Sequence, residues 1–192
     1  YIIDCPEDAS LIHGHSLSCP EEFDEAVRQG TLLQSLHHVP VSKGDFLYVP
    51  AGTVHALTEG CVVLEIQQNS DTTYRLHDYD RLNSVTGTLR TLHIEQARRA
   101  IRFPHHRYLE PSVPLSPFRR RLTRNPDFFV EEWTIRQTHA LDPSPSFRIV
   151  TIVEGTIELD DVVLAVGATA LLPAGSEHVV SGDGLMLVTG PA

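Results

Sequence analysis

The chain carries one twelve-residue pattern twice, 123 residues apart and without a gap. Gly44-Asp45-Phe46-Leu47-Tyr48-Val49-Pro50-Ala51-Gly52-Thr53-Val54-His55 aligns with Gly167-Ala168-Thr169-Ala170-Leu171-Leu172-Pro173-Ala174-Gly175-Ser176-Glu177-His178, and Gly, Pro, Ala, Gly and His coincide. Repetition of this kind predicts two copies of one supersecondary unit. Within the unit a Gly opens a strand, Pro fixes one backbone angle and the second Gly permits the left-handed one, so the chain reverses tightly. The His beyond the turn is then held on a fixed face, the rigidity that a metal ligand requires.

The remaining sequence supports two β units. Candidate strands at 46–49, 61–67, 72–76, 117–123, 128–136, 147–153, 156–159, 162–166, 169–172 and 185–189 are rich in Val, Ile, Leu, Phe and Thr, with Gly, Pro, Asp and Ser between them. A helix is predicted over 20–29, where Ser18 and Glu21 have capping-box spacing and Gly30 supplies a stop. A second is predicted over 94–101, followed by Pro104, Pro111, Pro114 and Pro117. The repeated G-x5-P-x-G-x2-H pattern resembles the second cupin motif. The resemblance implies a mostly β fold, a double cupin of jelly-roll β-barrels with a few short helices. The predicted division is residues 1–90 for the C-terminal part of the first barrel, 91–116 for a helix and Pro-rich connector, and 117–192 for the second barrel. Tyr1-Ile2-Ile3 reads as the middle of a strand, so the first barrel is expected to be incomplete and the chain a fragment. No H-x-H or downstream Glu accompanies His178, and the second cupin is expected to be metal-free.

Charge and cysteine usage narrow the function. The net charge is −10, and residues 1–80 hold 3 basic against 13 acidic side chains, which argues against nucleic-acid binding there. Apolar runs are too short to span a bilayer as a helix. Three cysteines without C-x-x-C spacing argue against a disulfide framework and a zinc ribbon, and fit the reducing cytoplasm. Lys43 is the one Lys among 15 basic residues.

Residues 41–81 are the most specific stretch. They hold K-G-D-x-x-Y-V-P-x-G-x-x-H-A, then a Glu in an apolar run, then S-D-x-T-x-R: Lys43, Gly44, Asp45, Tyr48, Val49, Pro50, Gly52, His55, Ala56, Glu65, Ser70, Asp71, Thr73 and Arg75. This resembles the active-site region of class I mannose-6-phosphate isomerases, in their shorter bacterial form. Similarity continues through Tyr79-Asp80-Arg81 and Leu92-His93-Ile94 and fades into general cupin character beyond. The resemblance implies aldose–ketose isomerisation of mannose 6-phosphate and fructose 6-phosphate with bound zinc. It makes His55 a zinc ligand, Arg75 the catalytic arginine, Lys43 a substrate-binding lysine, and Glu65 and Asp71 catalytic carboxylates near the sugar. The partner implied is a small sugar phosphate; oligomeric state is not legible. Such chemistry suits these residue types, because a fixed guanidinium or metal offsets the negative charge of an enediolate and a carboxylate can shuttle its proton.

Each residue has a plainer reading: Lys43 exposed before a turn, Glu65 bonded to backbone, Asp71 capping a turn, Arg75 solvated on a strand. The family's other zinc ligands are expected upstream of Tyr1, and one imidazole cannot hold zinc. The alternative function is a non-catalytic cupin that binds sugar phosphates or regulates after losing its metal ligands. His13-Gly14-His15 is read as a surface turn. His37-His38 and His105-His106 are adjacent pairs whose side chains diverge. The eight arginines from Arg98 to Arg124 are read as making interdomain or subunit contacts.

Overall fold

The computed structural model describes residues 1–105 and 111–192. The chain divides into two compact units, Tyr1–Leu109 and Glu110–Ala192. Both are built on antiparallel strands. Among the described residues, no helix is long and apolar enough to cross a membrane.

In the first unit, β1 (Ile2–Asp4) pairs with β5 (Val62–Val63), and β2 (Ser10–His15) lies between β3 (Leu36–Pro40) and β4 (His55–Ala56). These two small sheets do not join into a closed barrel. Helix α1 (Pro20–Arg28) buries Phe23 and Ala26, three residues apart, and with Leu17 they pack against Leu76, Ile94, Ile101 and Phe103. Glu21 and Glu22 sit in its first turn and Arg28 in its last, as the helix dipole favours. The N-cap is Cys19 rather than Ser18, and the Ser18 N–H bonds to Glu22 Oε2 at 2.7 Å, so the predicted Ser18–Glu21 box is replaced by a contact one residue on. Helix α2 (Ile94–Ala100) lies where the sequence predicts it.

Two predicted strands of this unit are absent. Residues 46–49 follow Gly44, which has φ +88°, and precede Pro50; the chain just before them is tied to β1 by Gly44 N–H to Ile2 O and Ile2 N–H to Asp45 O. In residues 72–76 the Arg75 backbone bonds to His93, its carbonyl accepting the His93 N–H and its N–H donating to His93 Nδ1, rather than to a strand. Strand composition without a neighbouring ladder does not make a strand.

The second unit holds one sheet in the order β11-β10-β13-β8-β7-β6, with β12 also on β10 and β9 also on β13. Its strands are β6 (Val113–Ser116), β7 (Arg119–Arg124), β8 (Phe128–Ile135), β9 (His139–Leu141), β10 (Arg148–Leu159), β11 (Val162–Ala165), β12 (Thr169–Leu172) and β13 (His178–Pro191). Residues 106–110 of the predicted connector lie outside the described residues, and 113–116 form β6. The strands predicted at 147–153 and 156–159 are one, β10. Its buried positions are even at Val150 and Ile152 and odd at Ile157 and Leu159. A bulge changes the phase: Ile152 faces Met186 but Glu154 faces Leu185. Gly155 sits just past it at φ +74°, where a Cβ would lie 2.1 Å from Asp183 O. The core gathers Trp133, Ile135, Leu141, Val150, Ile152, Ile157, Val180, Met186 and Val188.

The arginine cluster makes ion pairs inside each unit. Arg98 holds Asp24 at 2.5 and 2.7 Å; Arg119 holds Glu131 and Arg120 holds Glu132 across the β7–β8 ladder. Arg107 lies outside the described residues.

Candidate active site around His55 and Arg75

The Pro50-Ala51-Gly52-Thr53 turn is closed by Thr53 N–H to Pro50 O at 3.1 Å, with Gly52 at φ +86°. Only glycine fits, because a Cβ at Gly52 would lie 2.5 Å from Ala100 O. His55 follows on β4, exposed to solvent, with Nδ1 3.0 Å from Thr53 O. A carbonyl only accepts, so Nδ1 carries the proton and Nε2 presents a lone pair. That is the tautomer a metal ligand needs, with its orienting bond already made. Among the described residues no group of three or more His, Cys, Asp or Glu side chains is placed to hold a metal ion. His55 therefore fits zinc as a single donor, and the described residues do not bring further donors to it.

The repeat counterpart has the same backbone but a different histidine environment. Gly167 and Gly175 are at φ +85° and +74°, against +88° and +86° for Gly44 and Gly52. His178 bonds to Asp160 Oδ2 through Nδ1 and to Ser176 Oγ through Nε2, so both ring nitrogens are engaged.

Arg75 is half-buried and held on three sides. Nη1 donates to Thr91 O at 3.3 Å, and Nε lies 3.3 Å from Asp78 Oδ1. Its N–H donates to His93 Nδ1 at 3.2 Å, and its carbonyl accepts the His93 N–H at 2.8 Å. Asp78, buried, anchors the arrangement: Arg90 grips both carboxylate oxygens, and Arg81 Nε reaches the Asp78 carbonyl. The Arg90 hydrogen bonds, then the charges of Arg90, Arg75 and Arg81, hold the Asp78 carboxyl below the usual aspartate pKa against its own desolvation.

The other candidates lie on the surface. Lys43 is exposed beside a turn that Asp45 Oδ2 closes by accepting the Ser42 N–H at 2.7 Å. Glu65 is exposed one residue after Leu64, whose N–H bonds to Tyr1 O at 2.9 Å. Asp71 is exposed beside Ser70, whose hydroxyl accepts the Thr72 N–H at 3.3 Å. No hydrogen bond or ion pair links His55, Glu65, Asp71 and Arg75 to one another among the described residues.

His13-Gly14-His15 is not a surface turn. Both histidines lie in β2 at 3% exposure, and His13 is the register partner of His55. The His13 Nε2–H donates to Tyr48 O at 3.0 Å. The ring of His105 packs onto Gly14, where a Cβ would meet it at 2.1 Å, and its centroid is 5.7 Å from His13, 5.6 Å from His15 and 6.1 Å from His37. His37 turns inward while His38 is exposed, the divergence an extended chain imposes; His106 lies outside the described residues. The signal for this cluster is the Gly between two histidines, but it reads as a turn until the distant ring it accommodates is known.

No family model matches the chain. It is 38% identical over 163 residues to the mannose-6-phosphate isomerase ManA of Bacillus subtilis, covering 81% of this chain and 50% of that protein. It is 55% identical over 105 residues to the probable mannose-6-phosphate isomerase GmuF of the same organism, covering 55% of this chain and 33% of that protein. The crystal structure of a Bacillus subtilis mannose 6-phosphate isomerase superposes with a TM-score of 0.89 at 34% identity, over 99% of this chain and 63% of that one. The chain spans half or less of the length of these two curated relatives. It belongs to the mannose-6-phosphate isomerase family.

Proposed function

We propose that the protein carrying this chain interconverts mannose 6-phosphate and fructose 6-phosphate in the cytoplasm, with His55 as one ligand of a bound zinc. Zinc, when bound, would supply a Lewis acid for the sugar oxygens that gain negative charge. His55 would present Nε2 to it, its ring orientation held by Thr53 O. Arg75 would place a guanidinium against the same developing charge, pre-oriented by Thr91 O and Asp78 so that little reorganisation accompanies the step. Glu65 or Asp71 would carry the proton between adjacent carbons, and exposed Lys43 would meet the phosphate.

The observation that supports this reading is the Thr53–His55 bond, which commits Nδ1 as a donor and leaves Nε2 available to a metal. The test is a coupled assay of mannose 6-phosphate turnover on the natural protein that contains this sequence, stripped of metal and then reloaded. Activity that disappears on chelation, returns with zinc and is lost in His55→Ala supports the assignment. A zinc-replete protein without turnover overturns it.

A further inference from the structure

The second unit contains a cavity of about 220 Å³ at the β7, β8, β10 and β13 face of its sheet, lined by Arg119, Phe129, Glu131, Trp133, Arg148 and Val188 and rimmed by residues 142–145. Phe129, Glu131 and Trp133 alternate along β8 and so share one face. Their charges and hydrogen bonds are unevenly satisfied. Glu131 Oε2 accepts from both Arg119 Nη2 and Trp133 Nε1 at 2.9 Å, and the Arg119 guanidinium lies 4.2 Å over the Trp133 ring. Glu131 is thereby committed to Arg119, whose Nε is nonetheless buried without a partner.

Arg148, on the adjoining strand β10, makes no such direct ion pair. Nη2 donates to the Asp142 carbonyl at 2.7 Å, and no carboxylate among the described residues pairs with it. Burial, then the neighbouring Arg119 charge, pull the Arg148 pKa below the usual arginine value. Glu131, then the exposed Asp142, attract it only through space and offset the shift in part. The rim is tied down, because Ser144 O accepts the Gly175 N–H at 2.8 Å. With Glu131 hydrogen-bonded to Arg119, the partly desolvated Arg148 guanidinium gains from an anion that reaches it directly.

We propose that this cavity is a binding site for a small oxyanion, a phosphate monoester or a carboxylate, seated between Arg148 and Arg119 with its apolar body against Phe129 and Trp133. Guanidinium forks suit such groups, and the aromatic faces suit a compact organic moiety. The site is separate from the His55–Arg75 segment and does not depend on the function proposed for it.

Trp133 is the chain's one tryptophan and reports directly on the cavity. The full chain is titrated at constant ionic strength with inorganic phosphate and, separately, with acetate, and tryptophan emission is followed. The expected result is a saturable change with at least one anion. A response to phosphate alone assigns a phosphoryl ligand; a response to acetate assigns a carboxylate. Arg148→Gln is expected to weaken binding at least about tenfold, Arg148→Lys to weaken it less, and Arg124→Gln, at an exposed position outside the cavity, to leave it unchanged. Thermal midpoints of the variants establish that they fold, and Arg148→Lys serves if Arg148→Gln does not. No saturable change with either anion, unaltered binding in a folded Arg148 variant, or equal weakening by Arg124→Gln overturns the proposal.

Discussion

His13 stands directly opposite His55 across the antiparallel β2–β4 ladder. Its Nε2–H also donates to Tyr48 O, two residues before the Pro50–Thr53 turn. One imidazole thus ties the strand beneath His55 to the chain that leads into it. His13→Ala is expected to loosen the turn and lower the zinc affinity of the metal-loaded protein by roughly 10- to 100-fold, the range for groups that orient a metal ligand. Zinc competition with a chelating dye measures it. Unchanged affinity alongside normal folding would show that His13 does not orient His55.

Asp78 holds Arg75 from below, and Arg90 holds Asp78. In Asp78→Asn the guanidinium loses its charged anchor, and kcat of the natural protein is expected to fall on the order of 10²-fold, the cost of slight misplacement at a reacting centre, with KM much less affected. The same residue shapes acid stability. Its folded pKa lies below the ordinary 3.8, so its contribution is present above that value and is lost as pH falls through the folded pKa. Thermal midpoints of wild type and Asp78→Asn should therefore converge as pH drops below 3.8.

What the sequence made legible follows from how local each determinant is. The two Pro-x-Gly turns and both helices are specified within a few residues, and the structure places them where composition does. Most strands of the second unit are equally readable, but β6 hides in the Pro-rich connector, β9 is only three residues long, and β13 before residue 185 is masked by Gly182, Asp183 and Gly184. The bulge at Ile152–Glu154 hides in a run of β-formers and emerges only from the partner register with β13. Residues 46–49 and 72–76 have strand composition, yet strand formation depends on a neighbour that composition does not name. Asp78 was passed over beside Asp80 and Asp71 because its burial is imposed by Arg90, twelve residues on. His13 and His15 read as a surface turn because the reason for Gly14, the ring of His105, lies far along the chain. Of the five named site residues, Arg75 is held in a specific cage and His55 in a specific tautomer, while Lys43, Glu65 and Asp71 remain functional expectations.

Gly155 tests the bulge. With φ at +74° and an added Cβ 2.1 Å from Asp183 O, alanine would strain the backbone and push β10 from β13. Gly155→Ala is expected to destabilise the second unit by about 2–4 kcal/mol. Urea denaturation followed by Trp133 emission measures it, and a shift within error of wild type would show that the strands can part without cost.

His15 offers the clearest pH argument. It is 3% exposed, neither ring nitrogen makes a hydrogen bond of ordinary geometry, and it packs on Phe103 and His105 with centroids 5.2 and 5.6 Å away. Burial lowers its pKa below 6.5, His37 adds to the shift, and backbone groups of Arg102 and Leu17 oppose it in part. A folded pKa below the unfolded one means that the unfolded chain binds the extra proton first. Stability is therefore full above pH 6.5 and declines as pH falls below it, until the folded form also protonates. His15→Leu keeps much of the volume and abandons no hydrogen bond, so at about pH 8 its stability should lie within about 1 kcal/mol of wild type. As the pH is lowered toward about 5.5 the wild type should lose stability relative to the variant, because only the wild type carries this buried imidazole. Denaturant midpoints across that range decide it. Parallel pH profiles would mean that His15 is not the group whose protonation sets the acid response.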